Sequence, residues 1–378
     1  MNKYILIPDS FKGTMSSETI CGIMEKAIRK FEPEAQIVSI PVADGGEGSV
    51  DAFLTALGGE KMPAVVTGPL GRPVPSFWGK MEQGKTAVIE MAAAAGLPQV
   101  GDTPDPAGAT TYGVGELMRA ALDEGCTKII LGLGGSATTD GGCGMASALG
   151  AVFTDEQGKA FIPAGGTLDR ICRVDLSGLD PRLSSVEIIA MCDIDNPLYG
   201  PEGAAFVFGP QKGADSEMVQ LLDRGLRHLA DVMQSQYGCT EEETAGAGAA
   251  GGLGYGMRAF LGARLQMGIE TVLDTVRFDE TVQGARLVFS GEGKIDSQSV
   301  RGKVVIGVAR RTQKAGVPLI AVVGDIGDGI EEAYERGVSA IFSINRVAVP
   351  YQQARVRAAE DLRLTVENIM RFTEILTK

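Results

Sequence analysis

Histidine and tryptophan are nearly absent from this sequence of 378 residues, which contains one of each. The histidine, His228, lies in a segment with helical periodicity, where an ordinary surface histidine is expected. Metal sites built from two histidines and hydrolysis by a Ser-His-Asp triad are therefore close to excluded. Acid–base chemistry is left to Asp, Glu or Lys side chains.

Positive charge, paired cysteines and long apolar runs are also lacking. The net charge is −13 and no basic patch stands out, which argues against a nucleic-acid partner. The six cysteines form no C-x-x-C pair and no secretory signal precedes the first strand, so we expect free thiols in a reducing compartment. No apolar run approaches membrane-spanning length, and we therefore expect a soluble, cytoplasmic protein that does not interact with membranes.

Strands and helices alternate at both ends of the chain. Short apolar runs at residues 4–7 and 36–40 are each followed by a turn and a helix, and Ser16 has the position of an N-cap. The C-terminal part repeats this order, with strands at 285–289, 318–323 and 340–344 and helices at 304–315 and 352–376. Such alternation predicts an α/β fold with a Rossmann-like, doubly wound parallel sheet.

The middle of the chain has a different pattern. Residues 65–88 alternate between apolar and polar side chains as antiparallel hairpins do, and helices and a strand return from 111 to 150. We therefore predict a discontinuous Rossmann-like domain, residues 1–65 plus 286–378, with a mixed α/β domain inserted at 66–285. Two connections between the domains favour a cleft that opens and closes.

Two segments match phosphate-binding motifs but lack the context that these motifs need. Residues 79–86 fit the P-loop pattern G-x-x-x-x-G-K-T, but a strand follows them where a helix is required, so we interpret them as a hairpin turn. Residues 246–251 fit G-x-G-x-x-G, but no strand precedes them. We expect instead that this glycine-rich segment lets another backbone or a ligand approach closely.

Glycine, aspartate and lysine residues follow the predicted strands. Ligands of open α/β sheets bind outside the carboxyl ends of the strands, so these turns provide the candidate site. The substrate- and nucleotide-binding residues that we predict from them are Asp9, Ser10, Lys12, Asp44, Gly45, Gly46, Glu47, Gly134, Gly135, Ser136, Asp140, Asn196, Gly291, Glu292 and Arg301.

The chemical content of these turns favours phosphoryl transfer. Glycine-rich turns expose amide groups that suit phosphate oxygens, and carboxylates are ligands for Mg²⁺. Lys12, Lys294 and Arg301 can neutralise phosphate charge, and for Lys212 and Lys303 a role as solvated surface charges is the alternative to a functional one. These features do not separate a kinase from a phosphatase or a nucleotide-binding switch.

The turns match a known family. The chain resembles the bacterial glycerate kinases that phosphorylate D-glycerate with ATP, and the resemblance covers nearly the whole chain in order. The matching blocks are residues 8–13, 43–48, 132–142, 192–198, 207–214, 246–256 and 291–298. Departures from the family pattern occur at Thr139, where Asn is usual, at Ser299, where Thr is usual, and at Val304 or Val305, where Pro is common. They change no charged group, so they bear on substrate preference more than on activity.

The resemblance implies that ATP and D-glycerate give ADP and 2-phosphoglycerate with Mg²⁺, in a cleft between the two domains. As a hypothesis, Asp193 or Asp296 is the catalytic base, and the other one holds Mg²⁺ together with Asp195 or Asp44. The predicted metal ligands are Asp193 and Asp195, and Lys294 is the third predicted catalytic residue. A homodimer is included among the expected partners.

Three alternatives stay open from the sequence. The same kinase could form 3-phosphoglycerate. The glycine-rich segment 246–251 suggests an NAD-dependent hydroxy-acid oxidoreductase. A two-domain solute-binding protein would also clamp a small anion, although the missing export signal speaks against it.

Overall fold

The computed structural model describes residues 1–42, 46, 48–102, 104–297, 299 and 303–375. The chain divides into two compact units, of which unit 1 comprises Met1–Asp44 with Ile269–Lys378 and unit 2 comprises Gly45–Gly268. Within the described residues, no helix is both long enough and apolar enough to cross a membrane.

Strands and helices alternate along both units. In the described part of the chain the strands are β1 (Lys3–Pro8), β2 (Gln36–Ser39), β3 (Glu60–Thr67), β4 (Pro73–Met81), β5 (Thr86–Glu90), β6 (Lys128–Gly132), β7 (Val152–Thr154), β8 (Ala160–Phe161), β9 (Arg173–Asp175), β10 (Glu187–Met191), β11 (Arg264–Gln266), β12 (Leu287–Gly291), β13 (Lys294–Ile295), β14 (Leu319–Val323), β15 (Asp325–Ile326) and β16 (Ala340–Ser343). The helices are α1 (Ser17–Arg29), α2 (Ser49–Leu57), α3 (Ala92–Ala95), α4 (Tyr112–Asp123), α5 (Cys143–Ala148), α6 (Ala204–Phe208), α7 (Ser216–Tyr237), α8 (Ala249–Leu261), α9 (Gly268–Thr275), α10 (Phe278–Thr281), α11 (Val304–Ala315), α12 (Glu331–Glu335) and α13 (Tyr351–Ile375).

Unit 1 contains a parallel sheet of five strands in the order β16-β14-β12-β1-β2. The chain builds outward from β1 in one direction through β2 and in the other through β12, β14 and β16. The strand order therefore reverses between β1 and β12, and ligands of doubly wound sheets bind outside the carboxyl ends of the strands at such a point. The α/β class predicted from the sequence is confirmed.

Helix α1 illustrates how local sequence sets the elements of unit 1. The hydroxyl of Ser16 accepts a hydrogen bond from the amide of Thr19 at 3.2 Å, which is the N-cap expected from the sequence. Ile20, Met24 and Ile28 recur at helical spacing and are buried in a core shared with residues of β1 and α13. Burial of this apolar stripe fixes α1 against the sheet.

Unit 2 contains a mixed sheet of six strands in the order β11-β10-β6-β5-β4-β3. The pairs from β11 to β5 are parallel, while β4 and β3 continue the sheet as antiparallel strands. The carboxyl ends of β5, β6 and β10 lie side by side, because Gly132 is in register with both Glu90 and Met191. A separate sheet of three short strands has the order β8-β7-β9.

The unit boundaries differ from those expected from the sequence. They fall after residues 44 and 268, whereas the sequence suggested 65 and 285. At the first boundary the reason is β3, which pairs antiparallel with β4 from Glu60 to Thr67 and so belongs to the sheet of unit 2. At the second, α10 packs against α11 and therefore belongs with unit 1.

Both rejected motifs have the structures that were expected of them. The P-loop look-alike is a turn at Glu82–Gly84 between the antiparallel strands β4 and β5, without the helix that would bind phosphate. In the second motif Gly251 has a φ of +66°, and a Cβ atom there would lie 1.9 Å from the carbonyl oxygen of Thr138. The absence of a side chain allows the backbone of the loop after β6 to approach this closely.

Candidate active site

The turns after β1 and β12 adjoin each other at the strand-order reversal in unit 1. Pro8 is in register with Gly291, and the amide of Asp9 donates to the carbonyl oxygen of Gly291 at 2.8 Å. A carboxylate oxygen of Asp9 accepts a hydrogen bond from the amide of Ser10 at 2.6 Å. Lys12 lies exposed in the same turn. The predicted residues Asp9, Ser10 and Lys12 are therefore brought together beside the end of β12.

Glu292 is a buried carboxyl group directly after β12. Its side chain is 5% exposed, and its Oε1 atom has no hydrogen-bond partner within the described residues. Burial raises the pKa of Glu292 to about 7, with smaller contributions from the charges of Asp9 and Asp296, while Ser299 and Lys303 act in the opposite direction. A carboxyl group that titrates near neutral pH can accept or donate a proton during a reaction. The sequence identified Glu292 as a binding residue and gave no sign of this property.

Lys294 and Asp296 form an ion pair just beyond Glu292. The Nζ atom of Lys294 lies 3.3 Å from Oδ2 of Asp296, and both side chains are accessible to solvent. The backbone is held by the short pairing of β13 with β15 and by the amide of Ser299, which donates to the carbonyl oxygen of Asp296 at 2.9 Å. Two of the predicted catalytic residues thus adjoin each other, next to Glu292.

Gly291 has a packing role that its prediction as a binding residue did not foresee. It lies buried at the end of β12, where a Cβ atom would be 2.1 Å from the carbonyl oxygen of Val322 in β14. A glycine is required here by close strand packing, and a ligand contact of Gly291 stays a prediction. Arg301, the remaining predicted residue near this turn, lies outside the described residues.

In unit 2 the loop after β10 carries the predicted metal ligands. Asp193 and Asp195 are both exposed, and Oδ1 of Asp193 accepts a hydrogen bond from the amide of Gly268 at 2.7 Å. Asn196 uses its side-chain amide to donate to the carbonyl oxygen of Glu202 at 2.8 Å, which braces the loop. Asp193 and Asp195 therefore remain accessible to a cation, while the Asn196 side chain has a structural contact.

The glycine-rich loop after β6 is organised by Asp140, which is fully buried. Its carboxylate accepts hydrogen bonds from the amide and hydroxyl of Thr111 and from the amides of Gly142 and Gly144, at 2.7 to 3.2 Å. Burial raises the pKa of Asp140, and these hydrogen bonds oppose the rise. Asp140 was predicted to contact substrate or nucleotide. Because it is inaccessible, we correct this assignment to a residue that shapes the loop.

The structure excludes the alternative that Lys212 is a solvated surface charge. It ends the short 3-10 helix Pro210–Lys212, its side chain is 2% exposed, and its Nζ atom lies 2.7 Å from both Ser136 Oγ and the carbonyl oxygen of Thr138. Burial lowers the pKa of Lys212 to about 7, and the charge of Asp140 opposes this change. Lys303, for which the same alternative was open, is exposed.

The predicted turn at residues 44–48 leads into α2 and is described only in part. Asp44, Gly45 and Glu47 lie outside the described residues, and the carbonyl oxygen of Gly46 accepts a hydrogen bond from the Ser49 hydroxyl at 2.7 Å. The N-terminus of α2 is occupied by a carboxylate, since Glu90 Oε1 accepts from the amide of Val50 at 2.8 Å. Glu90 is buried at the end of β5, and burial raises its pKa. The sequence did not identify this contact, because β5 and α2 are distant along the chain.

The carboxylates of these turns suit Mg²⁺ bound together with a nucleotide. No group of three or more His, Cys, Asp or Glu side chains that could hold a metal ion occurs among the residues described. Mg²⁺ in kinases is usually held by one or two carboxylates and by substrate phosphates, so it does not require such a group. The exposed pair Asp193 and Asp195 has the right donor chemistry for this mode of binding.

Comparisons with known proteins identify the family of the chain. Residues 4–374 match the model of the glycerate kinase family. The chain is 47% identical over 368 residues to a glycerate kinase of Bacillus subtilis, covering 97% of this chain and 96% of the relative. It is 46% identical over 343 residues to the glycerate 2-kinase of Escherichia coli, covering 90% of each chain. A crystal structure from Salmonella typhimurium LT2, of a protein assigned as glycerate kinase 2, matches with a TM-score of 0.89 and 41% identity, covering 100% of this chain and 99% of the other.

The class defined by the fold and these relatives is that of the α/β kinases, enzymes that transfer a phosphoryl group. The chain belongs to the glycerate kinase family.

Proposed function

We propose that this protein transfers the γ-phosphoryl group of ATP to D-glycerate and forms 2-phosphoglycerate and ADP. The observation that carries the proposal is the group of side chains at the strand-order reversal of unit 1, in a chain of the glycerate kinase family. This group contains Glu292, whose carboxyl group has a pKa of about 7, and the ion pair of Lys294 with Asp296. The 46% identity to the glycerate 2-kinase of Escherichia coli supports the 2-phosphate product.

A kinase of this type has to remove a proton from the attacking hydroxyl group of its acceptor. Three carboxyl groups are candidates for this base, namely Asp193, Asp296 and Glu292. Glu292 joins the two that the sequence suggested, because its pKa of about 7 suits proton transfer near neutral pH. Asp296 is accessible and lies beside a lysine, and Asp193 is accessible in unit 2.

Charge on the transferring group requires cations close by. Lys294 and Lys12 are accessible in adjoining turns and can stabilise the phosphoryl oxygens or the carboxylate of glycerate. Bound Mg²⁺ would neutralise phosphate charge, and Asp193 and Asp195 are the residues that would hold it. The glycine-rich loop after β6, with Gly134, Gly135 and Ser136, would offer amides to an anionic group. Cytoplasmic location and a homodimer stay predictions.

The donor and the metal can be tested in one assay. Release of ADP should depend on both ATP and D-glycerate, and it should stop when EDTA removes divalent cations and return with added Mg²⁺. If no ADP is released with ATP and D-glycerate, the proposed kinase reaction is contradicted. If the rate is unchanged in EDTA, the requirement for Mg²⁺ is contradicted. Formation of reduced nicotinamide from NAD and D-glycerate, followed by absorbance, would instead favour an oxidoreductase.

A further inference from the structure

Lys212 is a buried ammonium group to which the proposed reaction gives no role. Its side chain is 2% exposed, and no carboxylate lies within ion-pairing distance of its Nζ atom in the described part of the chain. Asp140 is the charged group that faces it, but the oxygens of Asp140 are engaged by Thr111, Gly142 and Gly144. A buried lysine without a direct ion pair costs stability, so protein stability alone does not account for its presence.

The contacts of Lys212 fix the direction of a hydroxyl group. In its charged form Lys212 only donates hydrogen bonds, so Ser136 Oγ then accepts from it at 2.7 Å. The Ser136 hydroxyl hydrogen then points away from Lys212, and no acceptor for it occurs among the described residues. The second bond, from Lys212 to the carbonyl oxygen of Thr138 at 2.7 Å, holds the other end of the same loop.

Other polar groups of this loop also lack partners. The amides of Gly134, Gly135 and Ser136 have no hydrogen-bond acceptor in the described residues, and Gly134 and Gly135 are accessible to solvent. The buried hydroxyl oxygens of Thr138 and Thr139 likewise have no partner there. Buried polar groups without partners are rare in native proteins and call for an explanation such as a ligand. A ligand that accepts hydrogen bonds and carries negative charge would suit both the donors and the lysine.

We propose that Lys212 is a positioning residue that holds the loop after β6 as a binding site for an oxyanion, acting through Ser136 and Thr138. The inference rests on the proposed kinase function, in which two oxyanions are bound. These are the phosphate groups of ATP and the carboxylate of D-glycerate, and they share the chemistry that the loop recognises. The charge of Lys212 makes the loop attractive to an anion, and Lys212 itself does not contact the reacting atoms.

The first test separates the two oxyanions by steady-state kinetics. Lys212→Gln keeps a hydrogen-bond donor but removes the charge, and Ser136→Ala removes the hydroxyl while Lys212 stays. We expect Lys212→Gln to raise KM for either ATP or D-glycerate about tenfold or more, with a smaller change in kcat. Ser136→Ala should raise the same KM, and the double variant should be less impaired than the product of the two single effects, because both act through one contact. Lys159→Gln, at an exposed lysine of the same unit, is the matched control and should change neither KM.

A pH series provides a readout that a purely structural role would not change. Binding of an anion favours the charged form of Lys212, whose pKa in the free protein is about 7. The affected KM should therefore rise as the pH increases above about 7 in the wild type, and this rise should be absent in Lys212→Gln. Asp140 is the other titratable group that faces the lysine, and it is present in both proteins.

Three results would overturn the inference. One is a folded Lys212→Gln variant with both KM values within twofold of the wild type. The second, decisive where Lys212→Gln does not fold, is a Ser136→Ala variant with unchanged KM for both substrates. The third is an identical pH dependence of KM in wild type and Lys212→Gln. If the wild type does not release ADP, the proposed function is wrong. Calorimetric titration of ATP and of D-glycerate into wild type and Ser136→Ala then tests the oxyanion site by itself.

Discussion

The Nζ atom of Lys294 lies 3.3 Å from Oδ2 of Asp296. Lys294 itself follows the buried Glu292 by two residues. This spacing brings the cation of Lys294, the accessible carboxylate of Asp296 and the carboxyl group of Glu292, whose pKa is about 7, to one turn. The turn begins where β12 ends, beside the turn after β1. Proton transfer and charge stabilisation, the two needs of phosphoryl transfer, are thus available from a few consecutive residues.

The identity of the base can be tested with three variants, Asp193→Asn, Asp296→Asn and Glu292→Gln. Removal of the true base should lower kcat by roughly 10²–10⁴ with the fold intact, whereas the other two carboxyl groups should have smaller effects. Steady-state kinetics and circular dichroism provide the measurements. Asp169→Asn, at an exposed aspartate, is the control and should keep full activity. If all three variants retained near-normal turnover, none of these carboxyl groups would be the base.

Glu292 also gives a prediction about stability and pH. Its pKa is raised from 4.5 to about 7 in the folded protein, so the folded state binds the extra proton between these pH values. The contribution of Glu292 to the free energy of unfolding therefore becomes less favourable as the pH rises from about 4.5 to 7. Above pH 7 the full destabilisation from the buried carboxylate is present. Glu292→Gln should be more stable than the wild type at pH 8 by about 1–3 kcal/mol, and the difference should shrink toward pH 5.

Urea unfolding at several pH values measures this difference. The matched control is Glu331→Gln, because Glu331 is an exposed glutamate in the same unit. The control should follow the wild type at every pH. A Glu292→Gln variant that is no more stable than the wild type at pH 8 would contradict the burial that we assign to this carboxyl group.

Asp140 should be important for stability as well as for the loop. Asp140→Asn replaces one acceptor oxygen by an amide that faces donors, at a fully buried position. We expect a loss of about 2–4 kcal/mol in the free energy of unfolding, since buried donors lose their partner. Asp169→Asn should lose less than about 0.5 kcal/mol under the same conditions. Equal stability of the two variants would mean that the Asp140 network does not hold the loop.

The close approach at Gly251 can be separated from its backbone strain. Gly251 and Gly238 have nearly the same φ, +66° and +65°, but a Cβ at Gly251 would lie 1.9 Å from Thr138 O, while Gly238 has open space. Gly238→Ala should therefore cost only the strain of the left-handed conformation, about 1–2 kcal/mol. Gly251→Ala should cost at least about 2 kcal/mol more, because the loop after β6 must move. Chemical denaturation of both variants tests this, and similar losses would contradict the packing argument.

The order of the elements in unit 1 was predictable because each depends on neighbouring residues. The apolar runs of β1 and β14 and the Ser16 cap of α1 are local signals, and the structure has these elements within a few residues of the expected bounds. The turns that end the strands could be listed for the same reason. Their pairing follows from the rule that parallel strands end at one edge.

Properties that depend on distant residues were not predictable. Lys212 could be a surface residue as far as the sequence shows, and its burial arises from packing against the loop after β6, where its partner Ser136 lies 76 residues earlier. Asp140 resembles a ligand-binding aspartate, but Thr111 and its own loop surround it. The boundary of unit 1 differs from the expected one because β3 begins at Glu60, before the alternating pattern recognised from residue 65, and pairs with β4 in the sheet of unit 2.

Phosphorus NMR of the product formed from ATP and D-glycerate tests the central claim most directly. In 2-phosphoglycerate the phosphate is attached to a carbon with one hydrogen, and in 3-phosphoglycerate to a carbon with two, so proton coupling splits the phosphorus signal into a doublet or a triplet. We predict ADP together with a doublet from the new phosphate ester. A triplet would contradict the 2-phosphate product, and the absence of any new ester signal would contradict the proposed kinase reaction itself.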